Sequence, residues 1–224
     1  MTDLIIDDAL VRWSVPQDER AEALRTRPLL VMMHGYGSFE GDLINLQNFL
    51  PKHFVLASPR APLIAPPPVV DGFAWFQMED PGNPSPEDGE RAVTALLGWL
   101  DRVAGTVEGG LSRVSLLGFS QGGAMATHAL RTQPERFISV VNCSGFIIDC
   151  DMPGDKTLKT TRPPVFWGRD VDDPIITPNA ISRTEDWIPG HSTPTIQLYP
   201  GVGHSISEQE LRDINHFLNR LCPD

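Results

Sequence analysis

The chain has 224 residues, 41% of them hydrophobic, which suits one globular domain with a substantial core better than two separate ones. Eighteen basic against twenty-nine acidic side chains give a formal charge of −11, which opposes binding to nucleic acid or insertion at an anionic membrane surface. Cys143, Cys150 and Cys222 form an odd set without CxxC spacing, so neither a disulfide framework nor a metal site is expected, and no cofactor is called for. Asp3, Asp7 and Asp8 are the wrong charge for a signal peptide's first segment, and no apolar run is long enough to span a bilayer, so a cytoplasmic setting is expected.

Ala9, Val11, Trp13 and Val15 alternate with more polar neighbours, as in a half-buried edge strand, and the polar segment from Gln17 to Arg27 then reads as a turn of the chain. Leu29 to Met33 are apolar without a break, the mark of a central strand covered on both faces. It empties into His34, Gly35, Tyr36 and Gly37, after which Leu43, Leu46, Phe49 and Leu50 recur at helical spacing until Pro51. Phe54 to Ala57 read as another buried strand. Pro59, Pro62, Pro66, Pro67 and Pro68 then exclude helix and central strand, and Phe73, Trp75 and Phe76 at the far end of that loop form either a satellite hydrophobic cluster or the wall of a binding groove.

Ala92, Leu96, Leu97 and Leu100 stripe a helix from Glu87 to Val103. Val114, Leu116 and Leu117 then lead into Gly118, Phe119, Ser120, Gln121, Gly122, a GxSxG pattern between a strand and a helix. Glycines on both sides let strand and helix approach closely, so that the helix N-terminus aims free N–H groups at the serine. An oxyanion forming there is stabilised. Phe137 to Val141 and Val165 to Trp167 are the next strands, separated by a polar excursion. Asn179 to Trp187 has helical character, Thr195 to Leu198 is a last strand, and Ser207 with Glu210 suggests a capping box for a helix through Leu211, Ile214, Phe217, Leu218 and Leu221. The alternation predicts an α/β protein with a mostly parallel central sheet, helices on both faces, and ligands gathered at the carboxyl ends of the strands.

A serine hydroxyl needs a base to take its proton, and the base needs an orienting carboxylate. Of the six histidines, His204 follows a strand and precedes a capped helix, whereas His53 and His216 read as structural or surface, His128 sits on the elbow helix and His191 in a polar loop. The chain order serine, acid, histidine favours His204. Asp170, Asp172 and Asp173 compete as the acid. Asp173 abuts Pro174, Ile175 and Ile176 and is best placed to turn inward, while Asp170 and Asp172 read as solvated charges, one of them neutralised by Arg169.

From Leu29 to Leu221 the chain resembles the phospholipase/carboxylesterase family of α/β-hydrolases, which includes acyl-protein thioesterases. Gly118 to Gly123 match its GFSQGG, His34 to Gly37 its HGxG loop, Phe73 to Phe76 its SWFD segment, Asp173–Pro174 its DP loop, and Gly203–His204 its histidine loop. The resemblance implies a single α/β-hydrolase domain over residues 1–224. It also implies Ser120 as nucleophile, Asp173 as acid and His204 as base, with the backbone N–H groups of Tyr36 and Gln121 as oxyanion hole and no metal. Trp75 and Phe76 are the expected substrate-binding residues. One extra residue stands before the acid relative to GxxDP spacing, which keeps Asp172 as an alternative. Ser38 and Gln77 stand where relatives carry aspartates, which favours small carboxylic esters over protein thioesters, and the lack of a long apolar insertion that could form a lid or tunnel favours short to medium acyl parts. Acyl-thioesterase, lysophospholipase and a silent ligand-binding scaffold are the alternatives. The expected partner is a small-molecule ester, and an exposed aromatic groove would leave a surface for a homodimer.

Overall fold

The computed structural model describes residues 3–77 and 84–222. A seven-stranded sheet runs through it in the order β1 (Val11–Trp13), β3 (Val55–Pro59), β2 (Leu29–Met33), β6 (Val114–Phe119), β7 (Ser139–Cys143), β8 (Pro164–Arg169) and β9 (Thr193–Leu198). Only β1 is antiparallel, pairing Val11 with Pro59 and Trp13 with Ala57 at the sheet's edge.

The unbroken apolar run of β2 is explained by its two neighbours and by two cores. Leu29, Val31 and Met33 join Val114, Leu116, Val140 and Trp167 in a cluster with α3 (Pro86–Gly105), α4 (Gln121–Thr132) and α6 (Pro178–His191) on one face. Leu30 and Met32 join Leu56, Leu117, Val141 and Phe166 on the other, under α2 (Gly41–Ile44) and α7 (Glu208–Leu221). Successive residues of one strand thus feed opposite cores, as the period of two demands. Among the described residues, no helix is long and apolar enough to cross a membrane.

Three local readings change. The segment read as a turn before β2 contains α1 (Arg20–Thr26), which buries only Leu24 and so carries no apolar stripe. The polar excursion after β7 holds α5 (Pro153–Thr161), where Leu158 is the one large apolar residue buried. An ion pair docks it instead: Arg131 of α4 donates to Asp155 at 2.8 and 2.9 Å and also to the carbonyls of Ile148 and Cys150. The proline-rich loop closes on itself as a two-stranded ribbon of β4 (Leu63–Ile64) and β5 (Phe73–Ala74). Ser207 caps α7 by accepting from the Glu210 N–H at 3.1 Å, and the buried Glu210 carboxyl is turned back toward the Ser207 backbone N–H, in the sense of the expected capping box.

Candidate active site

β6 ends at Phe119, and Ser120 then takes φ 54° and ψ −116°, a conformation outside the usual wells of an L-residue, before α4 begins at Gln121. Ser120 N–H donates to the Cys143 carbonyl at 2.8 Å, which anchors the turn to β7. The glycines are there for contact, because a Cβ at Gly118 would lie 2.0 Å from the Gly122 carbonyl oxygen and one at Gly122 would lie 1.9 Å from that of Met33. Strand β2 and helix α4 therefore meet backbone to backbone directly behind the serine.

His204 comes from the loop after β9, where Gly201 and Gly203 both have positive φ and swing the ring over the sheet edge. Its Nε2 lies 2.8 Å from Ser120 Oγ and its Nδ1 2.8 Å from Asp173 Oδ2. The Asp173 side chain is only 1% exposed, and its Oδ1 accepts from the N–H groups of Ile175 and Ile176 at 2.9 and 3.1 Å. A carboxylate so held orients Nδ1–H and leaves Nε2 to accept from the serine. The Phe119 ring packs 4.9 Å from that of His204, centroid to centroid. Asp172 is exposed and touches the site only through its backbone.

Asp170 is not the solvated charge that its neighbours suggest. It is buried, and its two oxygens accept from the N–H groups of Asp172 and Gly203, which hold its carboxyl below the usual carboxylate range. Arg169 does not neutralise either aspartate side chain. It pairs with Glu185 at 2.6 Å, stacks over Trp167 and donates to the carbonyls of Asp170 and Val171.

The loop His34 to Gly37 lies against the serine, with the Cβ direction of Gly35 ending 3.5 Å from Ser120 Cβ. His34 is fully buried with Nδ1 2.8 Å from the Gly35 carbonyl, while Nε2 accepts from the Ala61 N–H at 3.1 Å. Those partners assign a neutral ring carrying its proton on Nδ1, and burial lowers its pKa accordingly. Among the described residues, no hydrogen bond occupies the backbone N–H of Tyr36 or of Gln121. The second belongs to the first turn of α4, whose dipole also favours negative charge there.

Trp75 and Phe76 do not line a groove. They are 0% and 1% exposed and belong to the core, because their backbone and indole are consumed in bracing the site. Trp75 N–H donates to Gln121 Oε1 at 2.8 Å, Gln121 Nε2 donates to the Phe76 carbonyl at 2.9 Å, and Trp75 Nε1 donates to the His34 carbonyl at 2.9 Å. The segment ties together the two loops that carry the free N–H groups. Its burial also removes the exposed aromatic groove that would have offered a second subunit a surface. The opening beside the histidine is instead a cleft of about 280 Å³, at the lower end of ligand-site sizes, bounded by Asp42, Leu43, Leu46, Phe119, His204 and Ile206.

A family model described as phospholipase/carboxylesterase matches residues 20–222. The chain belongs to that family. Membership makes it a hydrolase of the carboxylesterase and thioesterase kind, and the known relatives are of both sorts. It is 24% identical over 223 residues to acyl-protein thioesterase 1 of Candida albicans, covering 90% of this chain and 95% of that one. It is also 24% identical to a probable carboxylesterase of Oryza sativa subsp. japonica, covering 91% and 81%. Among solved structures, the Bacillus cereus carboxylesterase superposes with a TM-score of 0.76 at 18% identity over 94% of this chain and 93% of that one, which shows a shared α/β-hydrolase fold.

Proposed function

We propose that the protein is a serine carboxylesterase that cleaves small carboxylic esters, short to medium in the acyl part, through an acyl-enzyme on Ser120. The observation that carries this reading is the unbroken hydrogen-bonded line from Ser120 Oγ through His204 to Asp173. In it, His204 Nε2 takes the serine proton as Oγ bonds to the ester carbonyl carbon. The carbonyl oxygen becomes an oxyanion held by the N–H groups of Tyr36 and Gln121. His204 then gives the proton to the alcohol oxygen as the C–O bond breaks, and water repeats the sequence to release the acid. Asp173 holds the Nδ1–H tautomer and stabilises the imidazolium that forms in between. A cytoplasmic setting is supported by Cys143, Cys150 and Cys222, all of which are free.

The test is a fluorophosphonate probe with wild type and Ser120→Ala, beside a series of p-nitrophenyl esters from acetate to palmitate and one acyl-thioester. Wild type is labelled once and Ser120→Ala not at all, with turnover lower by about a million-fold. Undiminished labelling of Ser120→Ala sinks the nucleophile assignment. A preference that keeps climbing to palmitate, or a thioester cleaved faster than the matched ester, sinks the substrate assignment.

A further inference from the structure

Resting on the reading just given, we infer that the alcohol half of the substrate lies in the cleft between α2 and the histidine loop, and that Asp42 selects alcohols carrying a positive charge. The end of the ester that enters the cleft follows from proton transfer. His204 must deliver its proton to the alcohol oxygen, and the cleft is the space that His204 itself lines, whereas the carbonyl oxygen goes to the N–H groups of Tyr36 and Gln121, neither of which lines it. Leu43, Leu46, Phe119 and Ile206 supply apolar walls for the carbon part of that alcohol. The aromatic face of Phe119 also suits an alkylammonium group.

Asp42 sets the charge preference. Its Oδ2 accepts from Ser38 Oγ at 2.6 Å, and among the described residues no cation pairs with it and no hydrogen bond engages its other oxygen. The nearby guanidinium groups are committed elsewhere: Arg60 makes a two-pronged pair with Glu40 at 2.6 and 2.7 Å, and Arg12 reaches the same carboxylate at 3.9 Å. A carboxylate without a cationic partner at the mouth of a cleft, on a chain of charge −11, attracts a cation and repels an anion. Asp42 also stands in the first turn of α2, where an acid is favourable in any case, so the competing account is helix stabilisation alone.

Two esters of one acid separate these accounts, the 2-(trimethylammonio)ethyl ester and its neutral isostere, the 3,3-dimethylbutyl ester. The ratio of their kcat/KM values in wild type is expected to be about fivefold in favour of the cation at low salt, the size of an exposed ion pair, and to shrink towards one as sodium chloride is raised. In Asp42→Asn the ratio is expected near one at every salt concentration. A ratio near one in wild type, or a ratio that Asp42→Asn leaves intact, overturns the inference. If Ser120 is labelled by the fluorophosphonate but neither ester turns over, this inference falls alone. If Ser120 is not labelled either, the esterase reading falls with it.

Discussion

Asp170 and Gly203 join the two loops that supply the acid and the base, because the Asp170 carboxylate accepts the Gly203 N–H one residue before His204. The same carboxylate accepts from Asp172, one residue before Asp173. A single buried group therefore sets the separation between Asp173 and His204, although it touches neither of their side chains.

Asp170→Asn should separate those loops, since an amide offers one acceptor oxygen where two N–H groups converge and turns its own N–H₂ on the other. Displacing a catalytic group by a fraction of an ångström lowers turnover by about tenfold to a hundredfold. The loss should fall on kcat with KM little changed, and the wild-type carboxylate's contribution to stability should fade only as pH drops below the ordinary carboxylate range, since its pKa is depressed. A kcat equal to wild type contradicts the linkage.

Asp173→Asn should cost about four orders of magnitude in kcat, because an amide facing Nδ1 favours the wrong histidine tautomer. Asp172→Asn should cost little, as its exposed side chain makes no contact with the ring. Measuring kcat for both variants decides between them. Reversed magnitudes show that the extra residue before Pro174 shifts the register in solution.

Some of this site was legible in the sequence, and particular residues show why the rest was not. Ser120 stands between a strand and a helix within GxSxG, a local pattern whose glycines have a local reason, and β2 declares two covered faces by its unbroken apolar run. Asp170 escapes such reading because its partner at Gly203 is 33 residues away, and nothing local distinguishes a charge satisfied by distant backbone from one satisfied by water. Trp75 and Phe76 are ambiguous for a related reason. Apolar side chains in a loop say that something is covered, but not whether substrate or core covers it. Helices α1 and α5 bury too few apolar residues to show a period.

Trp75→Ala should act on stability rather than on substrate choice. Removing a fully buried indole costs roughly 3–5 kcal/mol, and here it also frees the His34 carbonyl from its donor. Urea unfolding should show that loss, with kcat/KM falling by a similar factor for every ester. Wild-type stability combined with selective loss of longer esters would restore the groove role.

Glu210 should couple the ground beneath the elbow to pH. Its side chain is buried against Gly168 and beside the Cys143 thiol, with Oε1 lacking a hydrogen-bond partner, and burial pushes its pKa up to about 7. Cys143 is the residue whose carbonyl receives the Ser120 N–H, so charge appearing at Glu210 is felt next to the turn. A carboxyl whose folded pKa is raised keeps its full contribution to stability below the unfolded value near 4.5, and loses it as pH rises to about 7. The change across that window is on the order of 3 kcal/mol. His34 and His128 pull the other way, because burial lowers both pKa values, that of His128 to about 4, so the folded state loses stability as pH falls below 6.5. Wild-type stability alone therefore mixes opposed slopes. The difference between Glu210→Gln and wild type isolates one of them, since the histidines are common to both. Urea unfolding from pH 5 to 8 should show the variant gaining on wild type as pH rises and the gain levelling off above pH 7. A difference that stays constant across the range would mean that Glu210 is already ionised at pH 5, with a counter-charge that the fold does not otherwise reveal.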